Sequence, residues 1–160
     1  MPVLSEVVAE SEPPSPALLA DARRAALVER VWAVAHLPPS AHVAIIGRRT
    51  LPLVLEFLRR GCSAVRSLRP GAPAPDCESA NLAWIVDVAD GELDEALRAA
   101  RSRAGHTGRV IVEGASGLSR IRDLSRIRDR AVAQGLDVVS FDHNASRLVL
   151  ATVRRPALAA

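Results

Sequence analysis

Two kinds of apolar pattern alternate along the chain. Short runs at His42–Gly47, Leu82–Val88 and Arg109–Glu113 are apolar at nearly every position. Runs of that length predict strands covered on both faces of a sheet. Between them, apolar residues recur every three or four positions, the helical period. Pro16–His36 is one such segment, with Leu19, Leu27, Val31, Val34 and Ala35 on one face. Ser15 supplies an N-cap, Pro16 takes the first helical position, and Pro38-Pro39 follows the end. Leu51–Arg60 predicts a second helix, with Leu51, Val54, Leu55 and Leu58 inward and Gly61 as its stop. Asp94–Ala104 predicts a third, its acids near the start and its arginines near the end, as the helix dipole favours. Leu118–Gln134 predicts a fourth, facing inward through Leu118, Ile121, Leu124, Ile127, Ala131 and Val132. Ser63–Leu68 reads as a weaker strand, and 70–80 as a Pro-rich loop. The chain closes with strands Leu136–Phe141 and Arg147–Val153. So short a connection forces them to run antiparallel.

This order predicts an α/β fold: a three-layer α-β-α sandwich around a mostly parallel sheet of about six strands, ending in an antiparallel hairpin. Crossovers should be right-handed, with ligands at the carboxyl ends of the strands. One domain is expected over residues 16–156, after an acidic and mobile tail at 1–15. Within that tail Val3-Leu4 and Val7-Val8 suit a short added strand or a partner contact. Ser63–Leu68 is expected at a sheet edge beside the loop only, which makes it the route to a homodimer.

A chain of 160 residues, 49% apolar and 24% charged, fits one such domain. It excludes a two-domain enzyme and a long disordered region. No apolar run reaches the roughly 18–20 residues of a membrane span. The tail carries Glu6, Glu10 and Glu12 and no basic residue, unlike a secretory or transit signal, so a cytoplasmic location is expected.

The net charge is +3, and all 21 basic residues are arginine. Nine of them fall between 98 and 130, against Glu113, Asp123 and Asp129. The hexapeptide LSRIRD occurs twice in succession there, at 118–123 and 124–129. On a helix, Arg122, Arg126 and Arg130 line the face opposite the apolar one, with Asp123 and Asp129 beside them. A solvated helix face is the expected reading, and a docking stripe for an acidic partner or nucleic acid the alternative. Trp32, Phe57, Trp84 and Phe141 sit in apolar contexts away from the arginines, which weakens the nucleic-acid reading.

Cys62 and Cys77 make no disulfide framework, and His36, His42, His106 and His143 have no ligand spacing, so no metal is expected. Ser116 in Gly114-Ala-Ser-Gly117 lacks the frame of a nucleophile turn and reads as an N-cap. His143 beside Asp142 reads as hairpin-turn chemistry.

The element order resembles the class I S-adenosylmethionine-dependent methyltransferases. The matching segments are Pro16–His36, His42–Gly47, Ala83–Asp87, Thr107–Glu113 and the closing hairpin Leu136–Val153. Together they span about residues 16–155. The resemblance implies that fold, with S-adenosylmethionine as the cofactor it would bring. The motifs depart from the family's. Its first strand leads into G-x-G-x-G, where small residues let backbone amides approach the cofactor. Here the turn is Gly47-Arg48-Arg49-Thr50-Leu51-Pro52. The family's second strand ends in an acid that holds the ribose, whereas this one ends Ser67-Leu68-Arg69. The third strand and its helix are replaced by the Pro-rich loop. Asp87 is the one matching acid.

Gly47, Arg48, Arg49, Thr50 and Asp87 are therefore the candidate site, without assigned catalytic residues. A degenerate, non-catalytic binding, regulatory or oligomerisation module is the leading expectation, with no ordinary cofactor and an unknown protein partner. An active methyltransferase holding S-adenosylmethionine in an altered pose, through Gly47, Thr50 and Asp87, is the alternative. A second alternative is a small anionic ligand, a nucleotide or phosphate, held by Arg48 and Arg49 at a helix N-terminus. The same arginines instead plug the cleft if they pair with Asp87, Asp90 or Glu113. NADP is disfavoured: Arg69 suits a 2′-phosphate, but Arg49 and Pro52 spoil the pyrophosphate turn.

Overall fold

The first helix, α1 (Pro16–Ala35), begins where the sequence places its cap: the Ser15 hydroxyl accepts a hydrogen bond from the Leu18 amide. The computed structural model describes residues 15–72, 79–113, 121–142 and 148–153. After α1 come β1 (His42–Gly47), α2 (Leu51–Arg59), β2 (Ala64–Leu68) and β3 (Leu82–Val86). A 3-10 turn at Asp90–Glu92 leads into α3 (Leu93–Ala104). Then follow β4 (Arg109–Glu113), α4 (Ile121–Ala133), β5 (Leu136–Asp142) and β6 (Leu148–Val153). The tail residues 1–14, the loop residues 73–78 with Cys77, and Ser116, Leu118 and His143 lie outside the described residues.

The six strands form one sheet in the order β2-β1-β3-β4-β6-β5. β2, β1, β3 and β4 pair in parallel, and β6 is antiparallel to both β4 and β5. The β1 and β3 runs are apolar throughout because both sheet faces are covered. Val43, Ile45, Trp84, Ile111 and Leu150 pack under α1 and α2. Ile85, Val110, Val112, Val149 and Ala151 pack under α3 and α4. This is the three-layer sandwich expected, and β2 is indeed an edge strand.

Two helix faces differ from the pattern. In α2 the buried residues are Leu53 and Phe57, while Leu51 is 67% exposed and Leu55 and Leu58 are each 46% exposed. Leu51, Leu55 and Leu58 recur at helical spacing as Leu53 and Phe57 do, so periodicity does not choose between the two stripes. Ring packing chooses it: the Phe57 centroid lies 6.1 Å from that of Trp32 and 5.9 Å from that of Trp84. In α1, Val28, Val31 and Ala35 are buried, whereas Leu19 is exposed because the first turns of the helix stand clear of the sheet. In α4, Leu124, Ile127 and Ala131 are buried as expected and Val132 is exposed.

The arginine stripe of α4 is not simply solvated. Arg130 holds both carboxylate oxygens of Asp94, at 2.8 and 2.9 Å, and one oxygen of Asp90 at 2.8 Å. Arg126 takes the other Asp90 oxygen at 2.9 Å. The acids that pair with these two arginines therefore come from the 3-10 turn and the first turn of α3, not from Asp129 on the same helix. Among the described residues, no helix is long and apolar enough to cross a membrane.

Candidate functional site

Because β1, β2, β3 and β4 are parallel, the chain leaves all four at the same edge of the sheet. From β1 it crosses outward to β2, then returns to β3 on the other side of β1. That reversal falls between the ends of β1 and β3, the place where open α/β sheets hold their ligands in a crevice. Gly47 ends β1 there, and Asp87 directly follows β3.

Gly47 is fixed by its neighbour. It pairs with Val86, and a Cβ built on it would stand 1.8 Å from the Val86 carbonyl oxygen. No side chain fits, so strand packing requires the first glycine of the turn independently of any ligand. Arg49 falls on the second glycine of the G-x-G-x-G spacing. It is exposed and has φ +51°, a left-handed backbone that favours glycine. The turn thus keeps a glycine-like conformation while carrying a guanidinium. Asp87 is exposed and also left-handed, at φ +51°, which aspartate tolerates better than most residues.

Thr50 is buried at the N-cap of α2, but its hydroxyl does not cap the helix. It hydrogen-bonds the Ser67 hydroxyl instead, tying the turn to the end of β2. The residues after Ser67 are Leu68 and Arg69, so β2 offers no carboxylate at its end.

Arg48 reaches across the crevice. Its Nη2 donates to Glu92 Oε1 at 2.8 Å, joining the β1–α2 turn to the start of α3. The other Glu92 oxygen accepts from the Ala89 amide at 3.4 Å. The hydrogen bond from Arg48 lowers Glu92 below the ordinary carboxylate value, and the same bond raises Arg48 above the ordinary guanidinium value. Among the acids expected to take this arginine were Asp87, Asp90 and Glu113. The one that does is Glu92, while Asp90 meets Arg126 and Arg130 of α4.

Glu113 ends β4 at the same edge. Its Oε2 is buried without a hydrogen-bond partner. Burial, aided by the charge of Asp87, pushes its carboxyl up to about 7. A carboxylate closing the apolar run Val110-Ile-Val112 is visible in the sequence, but its burial is not. Elsewhere, burial pushes the Cys62 thiol up to about 11, which leaves it inert at neutral pH. No group of three or more His, Cys, Asp or Glu among the described residues is placed to hold a metal ion.

No protein-family model matches the sequence, and no curated protein matches it. Solved structures do match its fold. A TehB-like SAM-dependent methyltransferase from Corynebacterium glutamicum aligns at TM-score 0.53 and 13% identity, over 82% of this chain and 87% of that one. The ribosomal protein L11 methylase from Lactobacillus delbrueckii subsp. bulgaricus aligns at 0.59 and 15%, over 86% and 79%. DesVI from Streptomyces venezuelae aligns at 0.62 and 10%, over 89% of this chain and all 100% of that one. At such identities the likeness speaks for the fold alone, and the chain has the α/β fold of the class I S-adenosylmethionine-dependent methyltransferases.

Proposed function

We propose that this domain is a non-catalytic binding or regulatory module on a methyltransferase scaffold, one that does not hold S-adenosylmethionine in the ordinary way. The observation that carries this reading is the Arg48–Glu92 bridge across the crevice above β1 and β3. Three further features support it. Arg49 puts a long side chain at a glycine position of the turn. The Thr50 hydroxyl is committed to Ser67. The end of β2 has no carboxylate for ribose hydroxyls. The residues present do not fit that cofactor's usual contacts, and fold alone does not restore them. Beside the acids Glu92 and Asp87, the crevice offers two cationic side chains, Arg48 and Arg49 by the start of α2, which suit a small anionic ligand. Thermal-shift titration with S-adenosylhomocysteine, ATP and NADPH tests the reading. No shift with S-adenosylhomocysteine at millimolar concentration is the expected outcome.

A second reading, an active S-adenosylmethionine-dependent methyltransferase with an altered cofactor pose, draws on Glu113. A half-buried carboxylate titrating near neutrality suits accepting a proton from a nucleophile. Solved neighbours in complex with S-adenosylmethionine, such as the human N-acetylserotonin methyltransferase, show what this fold carries elsewhere. Methyl transfer to a panel of small acceptors, lost on Glu113→Gln, would favour this reading over the first.

A further inference from the structure

The bridge between Arg48 and Glu92 joins two loops that are far apart in sequence and adjacent in space. Arg48 belongs to the turn after β1, and Glu92 ends the 3-10 turn after β3. β1 and β3 are neighbours in register, Gly47 opposite Val86, so the two loops flank the crevice directly. Glu92 is also tied to its own loop through the Ala89 amide. Its carboxylate thus both holds Arg48 and shapes the turn that leads into α3.

We propose that the Arg48–Glu92 bridge is a strap over the crevice and that an anionic ligand opens it by taking Arg48 from Glu92. The proposal deepens the anionic-ligand reading given above. Glu92 acts as an internal stand-in for the ligand's carboxylate or phosphate. A guanidinium binds either group through the same paired N–H geometry. Arg49, exposed on the same turn, adds a second positive charge to it. Asp87, exposed at the end of β3, disfavours an anion lying directly over β3. The ligand's charge therefore belongs on the Arg48–Arg49 side. Arg48 is 61% exposed and Glu92 34% exposed, so the strap is weak. Exposed pairs of this kind change an equilibrium by about twofold to fivefold. That is enough to bias a loop and small enough for a ligand to overcome.

The test is amide hydrogen exchange of the full chain, read separately over residues 47–51 and 88–93. Glu92→Gln should speed exchange in both segments by about twofold to fivefold, although 47–51 is remote from it in sequence. Arg48→Gln should do the same at 88–93, and the double variant should exceed neither single change. The probe for the second half of the proposal is inorganic phosphate, compared with sodium chloride at equal ionic strength. Phosphate should slow 47–51 while speeding 88–93 in the unmodified chain, and should do neither in Arg48→Gln. Effects confined to each variant's own loop would overturn the strap. Equal responses to phosphate and chloride would show screening alone and overturn the ligand exchange. Both variants alter exposed side chains, so their melting temperatures check that the fold is kept. Binding of S-adenosylhomocysteine in the ordinary pose would instead contradict the proposed function, and leaves the exchange result to stand on its own.

Discussion

Gly47 and Val86 approach so closely that a Cβ on the first would lie 1.8 Å from the carbonyl oxygen of the second. The glycine that most resembles a cofactor motif is therefore a packing requirement between two central strands. Gly47→Ala must push β1 and β3 apart, and should destabilise the fold by about 3 kcal/mol or more. Chemical denaturation measures this directly. A loss below about 1 kcal/mol would mean the strands relax freely, and the glycine would need another explanation.

The bidentate pair Arg130–Asp94 should matter more than an ordinary surface bridge, since Arg130 is only 19% exposed. A double-mutant cycle with Arg130→Ala and Asp94→Asn should give a coupling energy of about 1 kcal/mol. It should shrink in 1 M salt, because both groups still meet solvent. Asp94 is lowered from its ordinary value chiefly by its hydrogen bond from Arg130. Its contribution is present above the unfolded carboxylate range and is lost as the pH falls through the lowered value.

Glu113 runs the other way. Its folded value of about 7 lies above the ordinary glutamate value of 4.5, so the native state binds more protons between those values. Stability should therefore fall as the pH rises from about 4.5 to about 7, by up to roughly 3 kcal/mol. Glu113→Gln removes the buried charge. It should flatten the dependence across that window and raise stability at pH 8 by about 1–3 kcal/mol. Denaturation curves of both proteins from pH 5 to pH 8 decide the matter. Parallel pH profiles would show that the carboxyl is not buried as described.

The two faces of α2 give a contrast within one helix. Phe57→Ala empties the space between Trp32 and Trp84 and should cost about 3–5 kcal/mol. Leu55→Ala and Leu58→Ala, on the exposed face, should each cost about 0.5 kcal/mol or less. Equal costs would mean that this leucine face is covered in solution.

How much of this was legible in the sequence differs by element. The runs at His42–Gly47 and Leu82–Val86 gave away buried parallel strands because each lies between two helical layers. The short connection between the strand that starts at Leu136 and the one that ends at Val153 gave away the antiparallel end. The helix α2 hid its face, since Leu51, Leu55 and Leu58 form as regular a stripe as Leu53 and Phe57. Only the partners of the Phe57 ring separate them. The carboxyl ends of β1 and β3 were legible, because Gly47 and Asp87 mark where two neighbouring strands stop. The pairings of the site's side chains were not. Arg48 had several acids to choose from, and the fold gives it Glu92 while Asp90 meets Arg126 and Arg130. Ser67 carried no signal of its own and Glu113 was visible only as an acid closing a strand, because a hydroxyl partner and a buried oxygen are facts of packing.

The central claim is that the crevice above β1 and β3 does not hold S-adenosylmethionine in the ordinary way. Titrating the full chain with S-adenosylhomocysteine and following its melting temperature tests that most directly. A ligand at about 100 times its dissociation constant adds about 2.7 kcal/mol of stability. For a domain of this size that is a rise of roughly 5–10 °C. The account predicts no rise at millimolar ligand. A saturable rise of that size, absent with ATP and NADPH, would contradict it and move the active methyltransferase reading to the front.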